Sequence, residues 1–419
     1  MSYIFSLLFL ITSTTSTDSK SGNYQTWVLI VAPGPDVFSR FGHSAFMIET
    51  PSGKKVYDFG YFNMNSKFIK DFAFGRAFYS LDSRSFDAFL DSYSSEKRTI
   101  RGHLLNLTPE MGKQLYEVLE SLHSSDGKHY LYDHFRDNCA TRLRDLISKV
   151  TQGNLQYELE KMKIGSWRTN LDRILGNSWD IKYGLRLVLS SVMDEKRSGW
   201  DGAYLPLLLE EVLLKVKLAV NPFGKHEKLI VKSTVFFEGI NHNINTSLPI
   251  WIYPILLMAL FFLISPFIYR DDIIFLKIEL FFFSWTLFIL FVVMLFLHFY
   301  HSICVYNLNI FAFTPVLYTV LPWILFRSKK GRIIGKFIII SMFFPLITII
   351  IRPFTIQKTF PFPDIILLSY IIFYIQWSLY MRTSSQTENQ DPPDVTTDSS
   401  GSETKTSSVP ETDEENHGS

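Results

Sequence analysis

Cysteine is scarce in this sequence: 419 residues contain only Cys139 and Cys304. No C-x-x-C pair, H-E-x-x-H motif, Walker loop or G-x-G-x-x-G loop occurs, so metal and nucleotide chemistry have no motif support and we expect no cofactor. A serine nucleophile would lack the G-x-S-x-G elbow of the α/β-hydrolases. No basic stripe with interleaved aromatic residues occurs either, so we expect no nucleic-acid partner.

Hydrophobic residues are abundant and unevenly placed. They make up 47 % of the chain, with 38 Phe, which is typical of a protein that contacts lipid. The net charge of +1 hides an acidic end: residues 383–419 hold nine acidic side chains and one lysine, with almost nothing apolar to bury. We predict that this tail is disordered.

Five apolar stretches follow residue 248, and each has about the length that a helix needs to cross a bilayer. They lie at 249–269, 273–298, 310–326, 333–351 and 363–381. Basic residues crowd 327–332, whereas 300–309 has no Lys or Arg. The positive-inside rule therefore predicts a membrane domain over 248–382 with a cytoplasmic tail, and an extracytoplasmic polar domain over 24–240.

The N-terminus begins with a short apolar run at 3–11, followed by Ser and Thr. Nine apolar residues cannot span a bilayer but match the core of a signal peptide. We interpret residues 1–20 as a signal peptide or a short interfacial anchor. Either would place the polar domain outside the cytoplasm, in agreement with the charge pattern.

Cys139 lies in the stretch YLYDHFRDNCATRLRD at 130–145. Asp137 and Asn138 favour a helix start, and apolar residues at helical spacing follow until Gly153. Cys139 would then lie in a first helical turn, where the helix dipole favours a thiolate and unpaired N–H groups can face an oxyanion. Two plainer interpretations remain, a buried inert thiol and a disulfide with Cys304.

A predicted hairpin carries the candidate partners of that thiol. The first strand begins near His43, the turn falls at Pro51, Ser52 and Gly53, and the second strand runs over 55–62. A two-residue loop of Ser52 and Gly53 would put Asp58 on the same side as His43 but two pairs away, so contact would require a bulge or another register. His129 and His134 compete with His43 as the base because they lie near Cys139 in sequence.

These elements predict an α+β domain. A Cys at a helix start facing a His on a sheet is the papain-like arrangement, and here the His comes first, which would make the domain a circular permutation of that fold.

The sequence resembles the Lnb-type lipoprotein N-acyltransferases over about residues 24–381. The resemblance rests on FGHSA at 41–45, VYDFGYF at 56–62, FGRAFYSL at 74–81, the Cys139 stretch and HFYHSICVYNLNIFAFTP at 298–315. It implies that Cys139 is the nucleophile, His43 its base and Asp58 the orienting residue. His134 departs from the pattern, since an aromatic residue is more usual there.

The resemblance also implies an activity. Cys139 would take an acyl chain from a phospholipid as a thioester and pass it to the N-terminal amine of a diacylglyceryl lipoprotein, in the inner membrane and on its periplasmic side. We expect the 298–309 loop to bind the phospholipid donor through His301, Asn307 and Asn309. The alternatives are a cysteine amidase or peptidase acting on cell-wall peptides, and a membrane interaction protein without catalysis.

Overall fold

The computed structural model describes residues 24–219 and 226–240, and further along residues 260, 264, 268, 288–289, 291–307, 309–310 and 354. Within these residues, no helix combines the length and the apolar character needed to cross a bilayer. Residues 1–20, the tail at 383–419 and most of the five apolar stretches lie outside the described residues. The leader, the five-span membrane domain and the domain bounds therefore stay predictions.

A seven-stranded sheet forms the centre of the polar region, in the order β11-β5-β1-β2-β3-β4-β6. Every neighbouring pair in it is antiparallel. Its strands are β1 (Gln25–Val31), β2 (His43–Thr50), β3 (Gly53–Tyr61), β4 (Phe78–Ser85), β5 (Ile100–Leu105), β6 (His129–Leu131) and β11 (Ile230–Phe237). Two small ribbons pair β7 (Lys163–Ser166) with β8 (Lys196–Ser198), and β9 (Lys217–Ala219) with β10 (His226–Lys228).

Residues 24–219 contain nine helices: α1 (Ser66–Ala73), α2 (Phe86–Ser95), α3 (Pro109–Ser124), α4 (Cys139–Val150), α5 (Asn154–Lys161), α6 (Trp167–Leu175), α7 (Trp179–Val188), α8 (Gly199–Gly202) and α9 (Pro206–Lys215). Residues 291–300 are helical as well. A mixed α and β architecture is thus confirmed for the N-terminal region. Thr108 caps α3, because its side chain accepts from the Met111 N–H at 3.2 Å.

The sheet is covered on both faces, which explains why β1 is a continuous apolar run. Val28 and Ile30 belong to the core beneath α3 and α4, whereas Leu29 and Val31 belong to a second core beneath α2. Strand side chains alternate between these two layers. His43 and Asp58 therefore stand on the α2 side at the strand ends, while Cys139 begins a helix of the opposite layer.

Candidate active site

Cys139 is the first residue of α4, and its position is fixed by Asn138, which caps the helix. The Asn138 carboxamide oxygen accepts from the backbone N–H groups of Ala140 and Thr141 at 2.8 and 3.1 Å, and its nitrogen donates to the carbonyls of His134 and Tyr204. The predicted helix start is confirmed. Among the described residues, none accepts from the backbone N–H of Cys139 itself, so this donor is available to an oxyanion beside the sulfur.

His43 is hydrogen-bonded to Asp58, with 2.6 Å between Nε2 and Oδ1. The same Asp58 oxygen accepts from the Gly60 N–H at 3.0 Å, and its other oxygen accepts from Arg84 at 3.3 Å. Asp58 is buried, so these partners satisfy a carboxylate that has left water. Because Asp58 occupies Nε2, the Nδ1 atom is the ring nitrogen left to interact with Cys139.

Contact between His43 and Asp58 requires a register that differs from the one expected. Thr50 pairs with Gly53, so the turn residues are Pro51 and Ser52 rather than Ser52 and Gly53. When this pairing is continued along the two strands, Gly60 lies opposite His43. Asp58 is two residues from Gly60 on β3 and points to the same face of the sheet, so it is a diagonal neighbour of His43. A Cβ atom on Gly60 would lie 2.5 Å from His43 Cε1, so the missing side chain makes room for the ring.

The charges in this group support one another. Burial alone would raise the pKa of the Cys139 thiol, but His43 and the hydroxyl and N–H of Ser44 bring that pKa below its ordinary value. Burial opposes a charge on His43 too, yet Asp58, Tyr93 and Cys139 hold its pKa well above the ordinary value. Against its own burial, His43 and Arg84 lower the pKa of Asp58. The favoured state is therefore a thiolate, an imidazolium and a carboxylate in a row.

The two competing histidines are less suited to act as the base. Burial lowers the pKa of His134 to about 4, and its ring packs edge-on against Phe41 and hydrogen-bonds to the Tyr132 hydroxyl at 3.0 Å. His129 is exposed on β6. Of the three histidines, His43 is the one whose charge and hydrogen bond lower the pKa of Cys139.

Cys139 and His43 open into a cavity of about 710 Å³. Its walls are mainly aromatic and aliphatic, and they come from the segment before β2, from α1, β4, the stretch before α4 and the start of α9. Representative lining residues are Phe38, Phe62, Phe72, Tyr79, Tyr132 and Leu205. This volume and lining suit an apolar ligand of moderate size.

Residues 14–173 match the family model described as the Lnb N-terminal periplasmic domain. This match supports the resemblance to the Lnb-type family over these residues. The matched range contains His43, Asp58 and Cys139, and it ends within α6. No curated protein and no solved structure matches the chain.

Beyond the Lnb domain, the predicted donor-binding loop at 298–309 lies against the site. The His301 Nε2 atom donates to the Ala73 carbonyl at 2.8 Å, and Arg136 donates to the Ser302 hydroxyl at 2.7 Å. His301 also lines the cavity. His301 and Cys139 thus line the same cavity, and substrate binding by His301 stays a prediction.

Asn307 and Asn309 occupy a different position from the one that donor binding would require. Both are buried, and their amide nitrogens donate to backbone carbonyls at the end of α7, those of Leu187 and Val188 for Asn307 and of Arg186 and Leu187 for Asn309. Neither lines the cavity. These hydrogen bonds hold the loop against α7, which follows the matched range 14–173. We therefore do not propose Asn307 and Asn309 as substrate-binding residues.

Both cysteines are free thiols, so the disulfide between Cys139 and Cys304 is not formed in this structure. Cys304 is buried in the cluster around Trp167 and Tyr204, and burial raises its pKa to about 12. It behaves as an apolar core residue. The described residues contain no group of three or more His, Cys, Asp or Glu side chains placed to hold a metal ion.

Arg84, Gly60 and Tyr93 were not foreseen from the sequence. Arg84 stacks over Phe89 and Tyr93, with its guanidinium carbon 4.8 and 5.5 Å from the ring centroids. The Tyr93 ring lies 5.9 Å from that of His43. The available signal was an arginine on β4, on the face of the strand opposite to the buried residues Tyr79 and Leu81.

Proposed function

We propose that this protein is a membrane-bound thiol acyltransferase that moves an acyl chain from a phospholipid to the N-terminal amine of a diacylglyceryl lipoprotein. The observation that carries the proposal is the Cys139, His43 and Asp58 group at the wall of a 710 Å³ apolar cavity. A hydrolase of cell-wall peptides would use the same three residues, but a polar, charged substrate suits this cavity poorly.

In the first step, the Cys139 thiolate attacks an ester carbonyl carbon of the phospholipid. The oxyanion that forms lies beside the free N–H of Cys139 at the start of α4, where the positive end of the helix dipole also stabilises it. The carbon–oxygen ester bond then breaks, and the His43 imidazolium gives its proton to the leaving alkoxide. The products are a lysophospholipid and a thioester on Cys139.

In the second step, neutral His43 takes a proton from the acceptor amine as the nitrogen attacks the thioester carbonyl. Collapse of the intermediate breaks the carbon–sulfur bond, leaves an amide on the lipoprotein and restores the thiolate. Asp58 keeps the imidazole oriented and stabilises its charged form in both steps. An apolar cavity favours the amine over water as acceptor, because it limits hydrolysis of the thioester.

The proposed architecture places the catalytic domain at 24–240 in a permuted papain-like arrangement, outside the cytoplasmic membrane. Residues 248–382 would embed the protein in that membrane with five helices, next to both lipid substrates. The acidic tail at 383–419 would face the cytoplasm. This organisation accounts for five apolar stretches where a simple anchor needs only one.

Mass spectrometry of lipoprotein N-termini tests the proposal in cells that lack the protein, carry it, or carry Cys139→Ser. We expect an amide-linked acyl chain with the wild-type protein alone. Unchanged lipoproteins together with altered cell-wall fragments would instead establish a hydrolase. Immunoblotting of the Ser variant in the membrane fraction controls for loss of the protein.

A further inference from the structure

Large apolar side chains stand exposed where the cavity opens. Val37, Phe38, Met64, Ile69 and Phe72 are 63, 50, 50, 60 and 41 % exposed, and we call them the apolar rim. Single exposed hydrophobic residues are ordinary, but contiguous ones mark interaction surfaces. Here the rings touch: Phe38 lies 6.0 Å from Phe72 between ring centroids.

The apolar rim continues into the cavity that holds Cys139. Val37, Phe38 and Phe72 belong both to the rim and to the cavity wall. Inward from them, Phe62 lies 5.9 Å from Phe38 and stacks on Phe68 at 4.7 Å. An apolar path therefore runs from the molecular surface toward the thiol without an intervening charged side chain in the rim.

α1 carries Ile69 and Phe72 of the rim, and its C-terminal end contacts the helical residues 291–300. The Phe74 ring lies 5.2 Å from Phe296 and 4.8 Å from Tyr300, and His301 donates to the Ala73 carbonyl at the end of α1. The 291–300 helix itself exposes Val292, Val293 and Phe299. α1 thus lies beside the C-terminal end of the 291–300 helix. The polar residues His298 and His301 lie at this end.

Charge around α1 matches a phospholipid surface. Residues 65–76 contain Lys67, Lys70 and Arg76 against one acid, Asp71, and the three basic residues are exposed. An amphipathic helix with exposed Ile and Phe on one side and Lys beside them is typical of helices that lie in the headgroup region. A soluble protein partner would not require the continuity with an acyl-sized cavity.

We propose that the apolar rim is a bilayer-contact surface, and that a phospholipid acyl chain leaves the bilayer sideways across it to enter the cavity. The second half of this inference rests on the proposed acyltransferase function, whereas the first half does not. The expected partner is a phospholipid bilayer, with the rim side chains among the upper acyl carbons and Lys67, Lys70 and Arg76 among the phosphates.

Depth-dependent fluorescence quenching tests the contact in the full chain, reconstituted in phospholipid nanodiscs. Ile69→Cys is made in a Cys139→Ser, Cys304→Ser background, labelled with an environment-sensitive dye, and exposed to lipids that carry a nitroxide at carbon 5 or carbon 12. Val235→Cys is the matched control. Val235 is 51 % exposed and lies on β11. In the sheet, β11 is four strands from β3, the strand that directly precedes α1 and Ile69, and this separation is roughly 19 Å.

We expect the dye at residue 69 to be quenched several-fold more than the dye at residue 235, and more by the shallow nitroxide than by the deep one. Equal, weak quenching at both positions would overturn the bilayer contact. Quenching at residue 69 that appears only after a second protein is added would assign the rim to a protein partner instead.

The entry route is tested by Ile69→Glu, because Ile69 does not line the cavity. Acyl-enzyme formation from bilayer phospholipid should slow several-fold, while alkylation of Cys139 by a small soluble reagent stays at the wild-type rate; Val235→Glu should change neither. Equal acylation in Ile69→Glu and wild type would overturn the entry route. Absence of acylation in wild type would refute the acyltransferase function, and the quenching result would still decide the bilayer contact.

Discussion

Two hydrogen-bonded networks in this molecule have almost the same composition but different surroundings. Each joins a nucleophilic side chain, a histidine, a carboxylate and an arginine: the cysteine network of Cys139, His43, Asp58 and Arg84, and the serine network of Ser233, His103, Glu210 and Arg101. In the serine network, both His103 contacts measure 2.8 Å, and Arg101 holds both Glu210 oxygens at 2.6 Å. Hydrogen-bond connectivity alone therefore does not identify a catalytic site.

The surroundings of the nucleophile distinguish the two networks. Cys139 starts a helix, has a backbone N–H without an acceptor among the described residues and faces the apolar cavity, whereas Ser233 lies exposed on β11 at the edge of the sheet. None of the four residues of the serine network lines that cavity. The serine network joins β5, β11 and α9, which is a structural task, so the two networks should respond to substitution in opposite ways.

The largest effect is expected from Cys139→Ala, which should reduce acyl transfer by a factor on the order of 10³ or more, because no second thiol faces the cavity. Ser233→Ala, the corresponding change in the serine network, should leave the rate unchanged. The measurement is single-turnover transfer of a labelled acyl chain from phospholipid. A Cys139→Ala protein with near-normal turnover would remove the thiol mechanism.

His43→Ala should be about as damaging as loss of Cys139, since the thiolate and its proton donor act as one unit, and a general acid or base contributes roughly 10² to 10⁴ in rate. His103→Ala should reduce the amount of folded protein while activity per folded molecule stays the same. Rates normalised to the folded fraction separate these outcomes. If His103→Ala lowered the normalised rate as much, the distinction between the networks would be wrong.

A smaller effect is expected from Asp58→Asn, about tenfold at neutral pH. The Asp58 carboxylate raises the pKa of His43 and the imidazolium lowers the pKa of Cys139, so the loss of this charge lowers the first pKa and raises the second. The pH range in which thiolate and imidazolium coexist then narrows from both ends. The pH profile of Cys139 alkylation measures this directly, and its acidic inflection should move to higher pH.

Asp82→Asn is the matched control, because Asp82 pairs with Asp58 across β3 and β4 but is half-exposed and bonds to His123. Its alkylation profile should overlay that of wild type. A shift as large as that of Asp58→Asn would mean that any nearby charge moves the profile. The specific role of Asp58 in raising the pKa of His43 would then be wrong.

What the sequence predicted well depended on neighbouring residues. The Asn138 cap and the place of Cys139 in the first turn of a helix follow from local spacing, and both are present. The contact of His43 with Asp58 depended on a one-residue choice of turn that local patterns do not decide, since Pro51, Ser52 and Gly53 all favour turns. Arg84 escaped prediction because its role exists only once β3 and β4 pair.

Glu210→Gln should leave the reactivity of Cys139 unchanged. It should instead destabilise the fold. Burial opposes the Glu210 charge, but hydrogen bonds from Arg101 and His103 lower its pKa to about 2 from an ordinary value of 4.5. A shift of this size corresponds to a stabilisation on the order of 3 kcal/mol. Because the folded-state pKa is the lower one, this stabilisation is complete above about pH 4.5 and is lost as the pH falls toward 2.

Thermal unfolding of the detergent-solubilised full chain at a series of pH values measures this effect. Wild type and Glu210→Gln should differ most near neutral pH and converge in acid. Glu211→Gln is the control, because Glu211 is the next residue of α9 and also pairs with an arginine, Arg173, but its side chain is 40 % exposed. An exposed pair contributes about 1 kcal/mol or less, so its loss should be barely visible. Equal destabilisation by the two substitutions would show that the serine network adds no more to stability than a surface ion pair, and the structural role assigned to it here would have to be withdrawn.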